Sequence, residues 1–83
     1  MHPKAAIRYI GMEVSTTLAQ TTHQYAIKHG IDPINMMSTG AKVIGTRLTQ
    51  CIKEHMYNHP DVGAVIQKVY TELYTEIISE YKV

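Results

Sequence analysis

Eighty-three residues give one domain, near the lower size limit for a chain that rests on its own core. Apolar residues make up 45%, too many for a disordered segment, yet Phe and Trp are absent and all six aromatics are Tyr. A net charge of +1 argues against a general polyanion binder, and no apolar run nears the ~20 residues that span a bilayer.

The first helix is predicted over residues 4–29. Pro3 suits a first turn, and Ile7, Gly11, Val14, Leu18, Thr21 and Tyr25 recur at helical spacing. Its middle is weak, because Ser15, Thr16, Thr17, Thr21 and Thr22 offer hydroxyls that compete for backbone bonds, so a division near 15–17 is allowed for. Gly30 is read as a left-handed stop, with Ile31 as its apolar companion.

The second helix is predicted over 33–57, with Asp32 as N-cap and Pro33 at the first helical position. Ile34, Met37, Ala41, Ile44, Leu48, Cys51, Ile52, His55 and Met56 follow at spacings of three and four, and are read as its core-facing stripe. Gly40 and Gly45 weaken the helix and are read as permitting a neighbour's close approach. Asn58 is read as the next stop and Pro60 as the next start.

The third helix, over 61–81, carries two adjacent stripes. Val62, Val65, Ile66, Val69, Leu73 and Ile77 form one; Tyr70, Tyr74, Ile78 and Tyr81 form the other. Together they cover roughly 200° of the helix, about twice what one packed face needs. No segment alternates with period two. The fold class read from this pattern is all-α, a single domain over 1–83: a three-helix bundle, or four-helix if the first helix divides.

The second stripe of the last helix is the main functional signal, since apolar and tyrosine surface beyond what a core needs marks a contact site. Tyr70, Tyr74, Ile78 and Tyr81 are therefore read as a partner or homodimer interface, in a small adaptor or regulatory protein with no chemistry of its own. Self-association, binding of another protein, or both are expected. The other face carries Glu72, Glu76 and Glu80 at a spacing of four, a solvated row with no histidine close in sequence, and nothing pairs the chain's five histidines with a nucleophile, so an enzyme is not expected.

Two further constellations are weighed. The run Thr21–Met37, with Ala26, Gly30, Ile31, Asp32-Pro33 and an inward Met36, resembles the helix-turn-helix of DNA-binding families. The resemblance covers about a fifth of the chain and departs from the pattern at His29 and at Thr39-Gly40, where apolar residues are usual. It implies a recognition helix in the major groove, with Ile34, Asn35, Ser38 and Lys42 at the bases and Lys28, Lys42 and Arg47 at phosphates. That makes a dimeric DNA-binding regulator the alternative reading. Cys51, His55 and His59 stand four apart and could ligate zinc with one more donor, against the commoner reading of Cys51 as a small buried hydrophobe. No cofactor is expected. Gly40–Arg47 lacks the lysine of a phosphate-binding loop and follows no strand.

One cysteine cannot close an internal disulfide, and no apolar block of signal-peptide type follows the first four residues. A cytoplasmic protein, bound to no membrane, is expected.

Overall fold

A computed structural model describes residues 2–81 and contains three packed helices, α1 (Pro3–His29), α2 (Pro33–Asn58) and α3 (Val62–Ser79), with no strand among the described residues. Twenty-seven residues at 1.5 Å each give α1 a length of about 40 Å, which matches the long dimension of the 41 × 20 × 20 Å molecule. α1 and α2 therefore run antiparallel along the whole rod. Among the described residues no helix is long and apolar enough to cross a membrane.

The punctuation follows from local chemistry. His2 Nδ1 accepts from the Lys4 amide at 3.2 Å in front of Pro3. Asp32 Oδ1 accepts from the Ile34 amide at 3.0 Å, and Asp61 Oδ2 from the Ala64 amide at 3.2 Å. At the end of α1, Gly30 has φ 67°, which frees the Ile31 amide to reach the Ala26 carbonyl at 2.9 Å. This satisfies helix-end carbonyls without water.

α1 is continuous through the threonine-rich middle. Thr21 and Thr22 donate their hydroxyls to the carbonyls of Thr17 and Leu18, at 2.9 and 2.6 Å, and the helix absorbs these bonds without breaking. The second turn also differs from expectation. Asn58 is the last residue of α2 rather than a left-handed stop, and His59 closes the helix in extended backbone. α3 begins two residues past Pro60, at Val62, because Asp61 supplies the cap. It ends at Ser79, so Tyr81 lies beyond it.

The core joins Ile10, Val14 and Leu18 of α1, Cys51 and Ile52 of α2, and Val65, Val69, Leu73 and Ile77 of α3. On α1 the buried line is Ala6, Ile10, Val14, Leu18, Thr22 and Ala26. The expected Ile7, Gly11, Thr21 and Tyr25 sit at its edges, half-buried.

The amino-terminal half of α2 departs further. Met36 and Gly40 face inward, while Ile34 and Met37, read as core, are 76% and 66% exposed, and Ala41 is exposed too. Ile77 explains the rotation: its Cδ1 lies 3.8 Å from where a Cβ on Gly40 would stand, so it packs against the helix where no side chain projects. The face centred on Met36 and Gly40 is thereby the one that turns in.

Gly45 has no neighbour within 4 Å of a notional Cβ, so no helix of this chain uses the space. Gly45→Ala is expected to raise stability by up to about 1 kcal/mol through helix propensity alone. Urea unfolding checks this; a loss of stability would mean that something not visible in the monomer packs there.

Candidate functional site: two closed seams and one open groove

A three-helix bundle has three seams between its helices, and here each has a different chemistry. The α2–α3 seam is closed by polar groups. Cys51 donates its thiol proton to Glu72 Oε2 at 3.1 Å, and His55 Nε2 lies 2.8 Å from Glu72 Oε1. Arg47 Nε donates to Glu76 Oε1 at 3.2 Å, with its other end 3.8 Å from Glu72. The hydrogen bonds from Cys51 and His55 hold the Glu72 carboxyl below the usual carboxylate range. Burial first, and then the bond to Glu72, push the Cys51 thiol up to about 12. A buried thiol of that character is a hydrogen-bond donor, not a nucleophile.

That shift has a testable sign. The unfolded thiol titrates near 8.5, so folding stability due to Cys51 is full below about pH 8.5 and is lost as pH rises towards 12. The expected slope is up to about 1.4 kcal/mol per pH unit in that window. Urea midpoints at pH 7.5 and 9.5 should fall more steeply for the wild type than for Cys51→Ala; parallel falls would contradict it.

The α1–α3 seam is closed by tyrosine. Tyr74 meets Tyr25 edge-on, with ring centres 6.4 Å apart, and stacks on Tyr70 at 5.6 Å. Burial, with the two neighbouring phenols behind it, raises the Tyr74 hydroxyl above its ordinary value. Tyr81 reaches back to α2, donating to Asn35 Oδ1 at 2.6 Å and lying 2.7 Å from the Thr39 hydroxyl.

The stripe expected to lie outside is thus largely covered by the chain itself. Ile78 is 9% exposed, and Tyr70, Tyr74 and Tyr81 are half-buried. The covering has a simple cause: α1 is long and unbroken enough to bring Tyr25 over Tyr74, and Tyr81, just past α3, reaches the start of α2.

The α1–α2 seam is open. A cavity of about 210 Å³ lies towards the turn, floored by Leu18, Gly40, Ile44 and Ile77 and edged by Ala19, His23, Met37 and Ala41. A wider recess of about 470 Å³ continues towards the other end, between Ile7, Gly11, Met12 and Ser15 of α1 and Leu48, Thr49 and Ile52 of α2, with Arg8 at its rim. The exposed edges read Arg8, Met12, Thr16, Ala19, His23 on α1 and Met37, Ala41, Gly45, Thr49 on α2. Met12 and Met37 are each 66% exposed; Ile27 and Ile34 stand equally bare at the turn end. Small side chains at a spacing of three or four on both helices are the signal for this groove in the sequence.

The residues proposed for DNA are not assembled into a reader. Lys28, Ile34, Ser38 and Lys42 are exposed, but Asn35 is held by Tyr81 and Arg47 by Glu76. α1 and α2 form an antiparallel hairpin along the rod, where a helix-turn-helix requires a crossing of about 90–120°. Of the metal candidates, Cys51 and His55 come together, joined by Glu72, which the sequence reading placed on a solvated row. His59 stacks beside His55 with ring centres 6.0 Å apart and stays outside that cluster. Comparison with family models, with curated proteins and with solved structures finds no match.

Proposed function

We propose that this chain is a small, non-enzymatic adaptor or regulatory protein of the cytoplasm, which works by helix-on-helix protein binding, and that its contact surface is the α1–α2 groove, filled by a second copy of the chain. The observation that carries this reading is an apolar groove left open while both other seams are closed. A lone bundle gains nothing by exposing Met12 and Met37 beside unfilled space; a helix laid between them would bury both.

Three features favour a second copy. Among the described residues the only full charge at the rim is Arg8, at one end, so two grooves meet without repulsion if the copies are turned end for end. Projecting methionines and the small residues Ala19, Ala41 and Ser15 occupy the same groove, which gives one face both knobs and holes, as an isologous contact requires. The molecule is 41 Å long and 20 Å wide, so one of its sides has room for the ~800 Å² each partner buries in a standard interface. A buried thiol that donates to a carboxylate gives no support to nucleophilic chemistry.

Light scattering over a dilution series tests the reading. Twice the 9.4 kDa chain mass is expected at high concentration, and Tyr70→Lys should leave that mass unchanged. A chain that stays monomeric throughout would overturn the second copy as occupant; a dimer abolished by Tyr70→Lys would move the contact back to the tyrosines.

A further inference from the structure

We infer that Cys51, His55 and Glu72 form a binding site for a divalent metal ion of the zinc type, tying α2 to α3. The donors are the Cys51 sulfur, the His55 Nε2 and a Glu72 carboxylate oxygen, all within 4.8 Å of one another. A four-coordinate ion with bonds of about 2.0–2.3 Å needs its donors some 3.3–3.7 Å apart. The present contacts, 3.1 Å from Cys51 to Glu72 Oε2 and 2.8 Å from His55 to Glu72 Oε1, are made to two different oxygens, so a turn of the carboxylate and shifts of about 1 Å bring one oxygen, the sulfur and Nε2 to those separations.

The donor set is mixed sulfur, nitrogen and oxygen, which suits zinc or cobalt and is foreign to magnesium or calcium. Charge also balances. Binding releases one proton, from the Cys51 sulfur, and leaves His55 as the tautomer with its hydrogen on Nδ1. Thiolate and carboxylate then cancel the ion's two positive charges, so no net charge is left in a seam where Cys51 is fully buried. Arg47, 3.8 Å from Glu72, has its closer partner in Glu76 at 3.2 Å and retains it when Glu72 turns to the metal. Water takes the fourth position, and His59 is not required.

Cobalt(II), titrated into chelator-treated chain, tests the site. One equivalent should bring the strong visible bands of four-coordinate cobalt together with a near-ultraviolet thiolate-to-cobalt band. One proton should appear per ion bound, the melting temperature should rise, and zinc should displace the colour. Cys51→Ala should abolish the thiolate band, Glu72→Gln should weaken binding, and His59→Ala should change neither. Absence of the thiolate band in the wild type would reduce the cluster to a hydrogen-bonded seam and overturn the site. So would cobalt binding that survives Cys51→Ala and disappears in His59→Ala, the mark of a surface pair of histidines four apart.

Discussion

Leu73→Ala is expected to destabilise the fold by about 3 kcal/mol, with a range of roughly 2–5 for a buried leucine. Leu73 is fully buried in the central cluster with Ile10, Val14 and Leu18 of α1 and Ile52 of α2. Its removal would leave a cavity bordered by three long helices that have little freedom to collapse inward. In a domain of this size total stability is on the order of 5–15 kcal/mol, so one substitution removes roughly a fifth to three fifths of it. At about 4–8 °C per kcal/mol the melting point should fall by roughly 12–24 °C. Ile78→Ala, at the edge of the same face, should cost visibly less. Denaturant unfolding with an unchanged m-value is the check. A loss below about 1 kcal/mol at Leu73 would mean that the packing described around α3 is wrong.

The joint variant Met12→Lys, Met37→Lys is expected to abolish self-association while leaving the monomer folded. Each methionine is about two-thirds exposed in the single chain, so each stands to gain about 1–2 kcal/mol on being covered. Two copies contribute four such side chains. Losing them costs about 4 kcal/mol or more, a thousandfold or greater weakening of the dimer. Lysine adds four charges to a groove with little else to pair them. Because neither methionine is part of the core cluster, the unfolding midpoint measured at high dilution should barely move. Dimerisation at wild-type strength would show that the groove is not the contact. Collapse of the monomer would show that these side chains are structural.

The helix boundaries were largely legible because their signals are local. Gly30 with Ile31, and Asp32 with Pro33, act within three or four residues of themselves, and the structure uses both pairs as the chain spells them. Which face of α2 turns inward was not legible. The residues 34, 37, 41 and 44 and the residues 36, 40, 43 and 44 both recur at helical spacing, and the choice falls to Ile77, far along the chain, seeking the bare backbone of Gly40. The covering of α3 was hidden for the same reason. Tyr81 finds Asn35 and Thr39 from more than forty residues away, and Tyr25 finds Tyr74 from another helix. A wide apolar arc on one helix states how much surface must be covered, not what covers it.

Glu72 is the clearest case of a role visible only in three dimensions. In sequence it belongs to a row of carboxylates spaced by four with no histidine close by. In the fold, one carboxylate oxygen takes the Cys51 thiol and the other meets His55. Helical spacing placed Cys51 and His55 on one face of α2; only the packing of α3 supplied the third member.

The most direct measurement is methyl NMR on chain labelled at methionine, with a soluble paramagnetic agent, across a dilution series. Met36 is buried in the monomer and is a shielded internal reference at every concentration. With a second copy seated in the α1–α2 groove, the methyls of Met12 and Met37 are shielded together at high concentration and become accessible together on dilution. Met12 and Met37 methyls that stay fully accessible at every concentration, while light scattering reports a dimer, would contradict the groove as the place where this chain binds.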